Sequence, residues 1–122
     1  MKITMAQLDP IVGDLTGNKS AIASPYEAAA KSGSDLVVFP ELFLTGYPPW
    51  DLLERQWFIE RASSAVKEVA AMTASHPETG LLFGAPRPAL TGEGKPRFNS
   101  ASFAHRGRVI FEQHKSLLPT YD

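Results

Sequence analysis

At 122 residues the chain is one domain's worth at most, and its composition (43% hydrophobic, 20% charged) is that of an ordinary globular protein. A formal charge of −1 and an isoelectric point near 6.3 argue against nucleic acid or an anionic membrane as an obligate partner. No cysteine is present, which removes disulfides and thiolate–metal sites and makes a cytoplasmic location the expectation. The start, Met1 to Gln7, has no long apolar region of the signal-peptide kind. No apolar run approaches the roughly 18 residues that a membrane span needs, so a soluble chain is expected.

Lys2 to Leu8 reads as a first strand, ended by Asp9-Pro10 and Gly13-Asp14. A helical segment follows from about Thr16 to Lys31, with Gly33 as its stop. Pro25 falls inside it, and Ser24-Pro25-Tyr26-Glu27 has the pattern of a capping box, so either one kinked helix or a restarted one fits. Leu36 to Phe39 is a short unalternating strand of the kind covered on both faces. Asp51-Leu52-Leu53-Glu54 opens a second helical region that His76-Pro77 closes. Its apolar face is Phe58, Ala62, Ala65, Val66, Val69 and Met72.

Leu81 to Ala85 reads as a third strand and Thr91 to Lys95 as a loop. Phe98 to Ala104 then pairs with Arg108 to Gln113 across His105-Arg106-Gly107. The order β-α-β-α-β-β-β predicts an α/β layered domain whose later strands form a meander.

Two ionisable groups stand at strand ends. Glu41 follows Leu36 to Phe39 through Pro40, at the edge where open α/β sheets bind ligands; Lys115 follows Val109-Ile110-Phe111 at another strand end. Each has a bland reading, Glu41 as a polar loop residue and Lys115 as a solvated surface charge. Their shared setting, an apolar strand before and a proline-containing loop after, favours the functional one. His114 is expected to point opposite to Lys115, and His76 and His105 to face solvent. The three histidines lack metal-ligand spacing.

Gly92-Glu93-Gly94-Lys95 fails as a P-loop because Pro96 stands where Ser or Thr is required. Asn18-Lys19-Ser20 matches a glycosylation acceptor without a secretory context. Trp50, Trp57 and Phe58 read as core or interface aromatics.

Phe39-Pro40-Glu41-Leu42-Phe43-Leu44-Thr45-Gly46-Tyr47-Pro48-Pro49, together with Lys115-Ser116-Leu117-Leu118-Pro119-Thr120-Tyr121-Asp122, resembles the carbon-nitrogen hydrolase (nitrilase) superfamily. More narrowly, Ala6-Gln7-Leu8-Asp9-Pro10, Val12-Gly13-Asp14, Gly17-Asn18 and Pro48-Pro49-Trp50-Asp51-Leu52-Leu53 resemble the N-terminal glutaminase domain of the glutamine-dependent NAD synthetases. The resemblance implies part of a four-layer α-β-β-α sandwich, with residues 1–122 as the first part of the hydrolase domain. It implies that Glu41 is the general base, Lys115 the oxyanion-stabilising cation and Tyr121 a glutamine-binding residue.

It further implies glutamine as substrate, with ammonia passed to a separate synthetase domain that uses ATP and magnesium. No cofactor or metal is expected in these residues themselves. The family's cysteine nucleophile and second glutamate would lie beyond Asp122, so the 122 residues alone are expected to be inactive. Exposing about 400 Å² of contiguous apolar surface would cost about 10 kcal/mol, so pairing with a second copy or excision from a longer chain is also expected. Two other readings remain, a different amidase or nitrilase and a short non-catalytic binding protein of the same fold.

Overall fold

A computed structural model describes residues 1–47, 50–88 and 97–115. Strand β1 (Ile3–Met5) leads into helix α1 (Leu15–Lys31), strand β2 (Leu36–Val38), helix α2 (Gln56–Met72) and three longer strands. These are β3 (Gly80–Pro88), β4 (Arg97–His105) and β5 (Arg108–His114). The five strands form one sheet in the order β1-β2-β3-β4-β5. The β1-β2 and β2-β3 pairs are parallel, and the β3-β4-β5 meander is antiparallel.

Helix α1 is one continuous element through Pro25. Asn18, Ile22, Tyr26 and Ala29 are its buried residues, and they keep one face against the core on both sides of the proline. That packing offsets the lost backbone hydrogen bond, so the Ser24 capping pattern goes unused. Asp14 is the N-cap instead, accepting from Gly17 N at 2.9 Å. A 3₁₀ turn, Trp50–Glu54, precedes α2, whose own start at Arg55 has no side-chain cap.

The short β1 is a consequence of its partner. Met5 pairs with Val38 and Ala6 N still reaches Val38 O at 2.8 Å, but Pro40 has no N–H with which to extend the ladder to Leu8. Strand β3, by contrast, runs three residues beyond Ala85 despite two prolines. Leu82 O and Gly84 O accept from Phe39 N and Leu44 N on the β2 side. Pro86 and Pro88 follow at two-residue steps, so their missing N–H groups face that same side beyond the end of β2. The β4-β5 turn holds Arg106 and Gly107 at φ of 53° and 89°, the paired left-handed conformation of a two-residue hairpin. Ile110 is the extra residue of a bulge, since Ala104 pairs with Val109 and Phe103 with Phe111.

Both helices cover one face of the sheet. Val37, Leu81, Phe83, Ala85 and Ala104 point into the resulting core with Ile22, Tyr26, Val66 and Val69. The opposite face is open. Leu36 and Val38 are only half-buried, so β2 is covered on one face rather than two. Met5 is 77% and Phe111 59% exposed. Of the expected aromatic cluster, Phe58 is buried, whereas Trp57 is exposed beneath the Arg61 guanidinium at 5.2 Å.

Candidate active site

Glu41 owes its position to a change of backbone role at Pro40. Phe39 N makes one last strand-like bond to Leu82 O at 2.8 Å, and the chain then folds into turns closed by Phe43 N to Pro40 O and Thr45 N to Leu42 O, each 3.2 Å. Leu42, Phe43, Leu44 and Thr45 are buried and anchor the loop, leaving Glu41 as the side chain that faces outward. Leu42 itself is left-handed, with φ of 52°. A non-glycine residue keeps that conformation only where its surroundings over-determine it.

Lys115 lies just past β5, and its backbone N–H donates to Asn99 O at 2.8 Å, which carries the β4-β5 pairing one step further. Alternation across the paired registers puts Lys115, Asn99, Leu82 and Gly84 on the open face. There Lys115 Nζ donates to Glu41 Oε1 at 2.8 Å. The Asn99 side-chain amide also donates to Glu41 Oε1. These groups line a cleft of about 330 Å³ walled by Phe39, Leu82 and Phe83.

The Glu41 carboxyl is held below the ordinary carboxylate range, first by the Lys115 hydrogen bond. Partial burial opposes this, while the Asn99 hydrogen bond and the Lys115 charge add to it. Glu41 is therefore an ionised carboxylate throughout the neutral range, the form a general base needs.

Size alone does not locate this site. A larger cleft of about 510 Å³ lies beside α2 and β5. Of the charged residues that line it, Arg87 pairs with Glu112, Nε to Oε1 at 3.1 Å.

His114 sits away from the pair, hydrogen-bonded to Ser100 Oγ and stacked on Phe98 at 4.2 Å. His76 and His105 are half-buried rather than fully solvated. His76 packs edge-on against Tyr26 at 5.9 Å, and a His105 ring nitrogen reaches Pro77 O at 2.8 Å. Among the described residues no group of three or more His, Asp or Glu is arranged to hold a metal. Tyr121 lies outside the described residues, as do the loop 91–95 and the proline pair 48–49.

Two polar contributors escaped sequence reasoning. Asn99 lay unmarked within a strand. Asn18, marked only by a glycosylation pattern and by the Gly17-Asn18 segment of the family resemblance, is buried and hydrogen-bonds Leu44 O behind the Glu41 loop. The one cue for Asn99 was its place on a strand directly before the residues that pair with β5.

The carbon-nitrogen hydrolase family profile matches residues 2–122. The chain belongs to that family. It is 33% identical over 121 residues to a glutamine-dependent NAD(+) synthetase of Thermotoga maritima, covering 99% of this chain and 20% of the relative. The chain thus spans about a fifth of the length of the curated relatives it matches. Among solved structures, it is similar to the glutamine-dependent NAD+ synthetase of Acinetobacter baumannii, with a TM-score of 0.81 and 28% identity over 98% of this chain and 22% of that one. An amidase from Nesterenkonia sp. shares the fold with a TM-score of 0.83 at 24% identity, over 99% of this chain and 44% of that one. These neighbours place the α/β sheet and its helices within the nitrilase-like folds.

Proposed function

We propose that the chain supplies the base and the cation of a glutamine amidohydrolase site, of the kind that releases ammonia for amidation of deamido-NAD. The observation that carries this reading is the 2.8 Å contact between Lys115 Nζ and Glu41 Oε1 at the mouth of one cleft. In this scheme Glu41 takes the proton of a thiol supplied from outside these residues, and the thiolate attacks the carboxamide carbon of glutamine. Lys115 stabilises the oxyanion. As the C–N bond breaks, the protonated Glu41 gives its proton to the departing ammonia. It then takes a proton from the water that hydrolyses the thioester, releasing glutamate.

Tyr121 completes the proposal as a substrate contact. In this reading ATP and magnesium belong to the amidation chemistry of a separate synthetase domain. A cytoplasmic site of action and a self-associated protein are part of the same reading.

The test is a chimera in which this chain replaces the matching segment of the Thermotoga maritima relative. The chimera should release ammonia from glutamine, and Glu41→Gln should abolish it. Full ammonia release by the Glu41→Gln chimera would overturn the reading.

A further inference from the structure

Three neighbouring strands converge on Glu41, and two of the contributing residues have no assigned part in the chemistry. The first is Gly84 on β3. A β-carbon there would lie 2.2 Å from Leu42 N and 2.9 Å from both the Glu41 carbonyl carbon and Pro40 O. All three are backbone atoms of the loop that carries Glu41, so no side-chain rotation relieves the overlap. Ordinary van der Waals contact begins at 3.4 Å, so Leu42 N alone would have to move by more than an ångström. The loop also hangs on this residue directly, through Leu44 N to Gly84 O at 3.2 Å. Only a residue without a side chain lets the left-handed turn at Leu42 sit down on β3.

The second is Asn99 on β4. Its side-chain amide donates to Glu41 Oε1, and its backbone carbonyl accepts from Lys115 N at 2.8 Å. One residue therefore orients both members of the ion pair. The donors are distributed unevenly. Among the described residues, Lys115 Nζ and Asn99 Nδ2 both donate to Oε1, and neither donates to Oε2. A carboxylate loaded on one oxygen exchanges protons at the other.

We infer that Asn99 and Gly84 are positioning residues that seat Glu41 with Oε1 pinned and Oε2 as the oxygen that takes and returns the proton. The inference rests on the proposed role of Glu41 as base, but the seat itself is readable without any turnover. Among the described residues the charged group facing Glu41 is Lys115; His114, its neighbour in the chain, is turned to Ser100.

The experiment is a carbon-13 titration of the Glu41 side-chain carboxyl in the purified chain, compared across variants. Asn99→Leu keeps the volume and removes the donor, so the Glu41 midpoint should rise while amide shifts away from the cleft stay put. Gly84→Ala should raise it at least as far, because a displaced loop takes the carboxylate away from both donors. A midpoint unmoved in Asn99→Leu, or unmoved in a folded Gly84→Ala, overturns the inference.

In the active chimera, Asn99→Leu should shift the acid limb of the rate profile upward, an effect that a merely structural side chain would not produce. Gly84→Ala should lower turnover on the order of 100-fold, as expected for about 1 Å of misplacement. Failure of the function itself is read separately. If Glu41→Gln leaves ammonia release intact while the titrations behave as stated, the seat stands and the base assignment falls.

Discussion

Asn18 holds the Glu41 loop from behind: its side-chain amide donates to Leu44 O at 3.1 Å and to Ile11 O at 2.8 Å, while its carbonyl accepts from Ile11 N at 2.9 Å. A single buried side chain near the start of α1 thus ties the segment after β1 to the loop after β2. Asn18→Leu leaves the buried Leu44 O without this donor, and an unsatisfied buried partner costs roughly 1–3 kcal/mol, whereas Ile11 O keeps its bond from Asp14 N. The variant should lose about 2–3 kcal/mol of stability. Urea unfolding tests this as a lower midpoint with an unchanged slope.

Acid should remove the contribution of the Glu41–Lys115 pair. Because the folded carboxyl titrates below its unfolded value, the stabilisation is fully present above the ordinary glutamate value of about 4.3 and is lost as pH falls through the lower folded value. Both side chains are substantially exposed, so the pair contributes at most about 1 kcal/mol. The stability gap between the native chain and Lys115→Met should be present at pH 7 and vanish once Glu41 is protonated. A gap that persists in acid would mean that the lysine acts through packing.

Two left-handed glycines separate backbone strain from crowding. Gly33 has φ of 89° and open space around it, so Gly33→Ala should cost about 1 kcal/mol, for strain alone. Gly46 has φ of 79°, and a β-carbon there would lie 2.6 Å from Val12 Cα and 2.8 Å from Val12 N. Gly46→Ala should cost about 3 kcal/mol or more, strain and overlap together. Thermal unfolding of the two variants side by side checks the difference; equal losses would refute it.

The 122 residues by themselves should turn over no glutamine. They contain no cysteine, and a base with an oxyanion stabiliser but no nucleophile cannot form a thioester. Ammonia release measured on the purified chain decides the matter, and turnover above the uncatalysed rate would contradict the covalent scheme.

The order of elements and the meander were legible in advance because each rests on local signals. The helical spacing of Phe58, Ala62, Ala65, Val66 and Val69 marks a buried face, and those residues are buried. Boundaries were less legible where a partner decides them. The end of β1 depends on Pro40, just past the end of its partner β2, and the extension of β3 through two prolines depends on β2 being short. Pro25 read as a possible restart because propensity is local, whereas the docking that keeps α1 whole is tertiary.

The same division runs through the site. Side-chain chemistry and strand-end placement singled out Glu41 and Lys115, since a carboxylate after a proline-terminated strand and an ammonium at a strand end are visible in the residues themselves. Asn99, Gly84 and Asn18 carry no such mark. An asparagine, a glycine in a strand and an asparagine at a helix start are each compatible with many surroundings. Their roles exist only because β3 and β4 lie beside the Glu41 loop and α1 lies behind it. Sequence determined which groups could do the chemistry. The packing of distant segments decided which oxygen is pinned, which backbone comes within contact distance, and which face of the sheet holds the cleft, because those are distances between parts of the chain that only folding brings together.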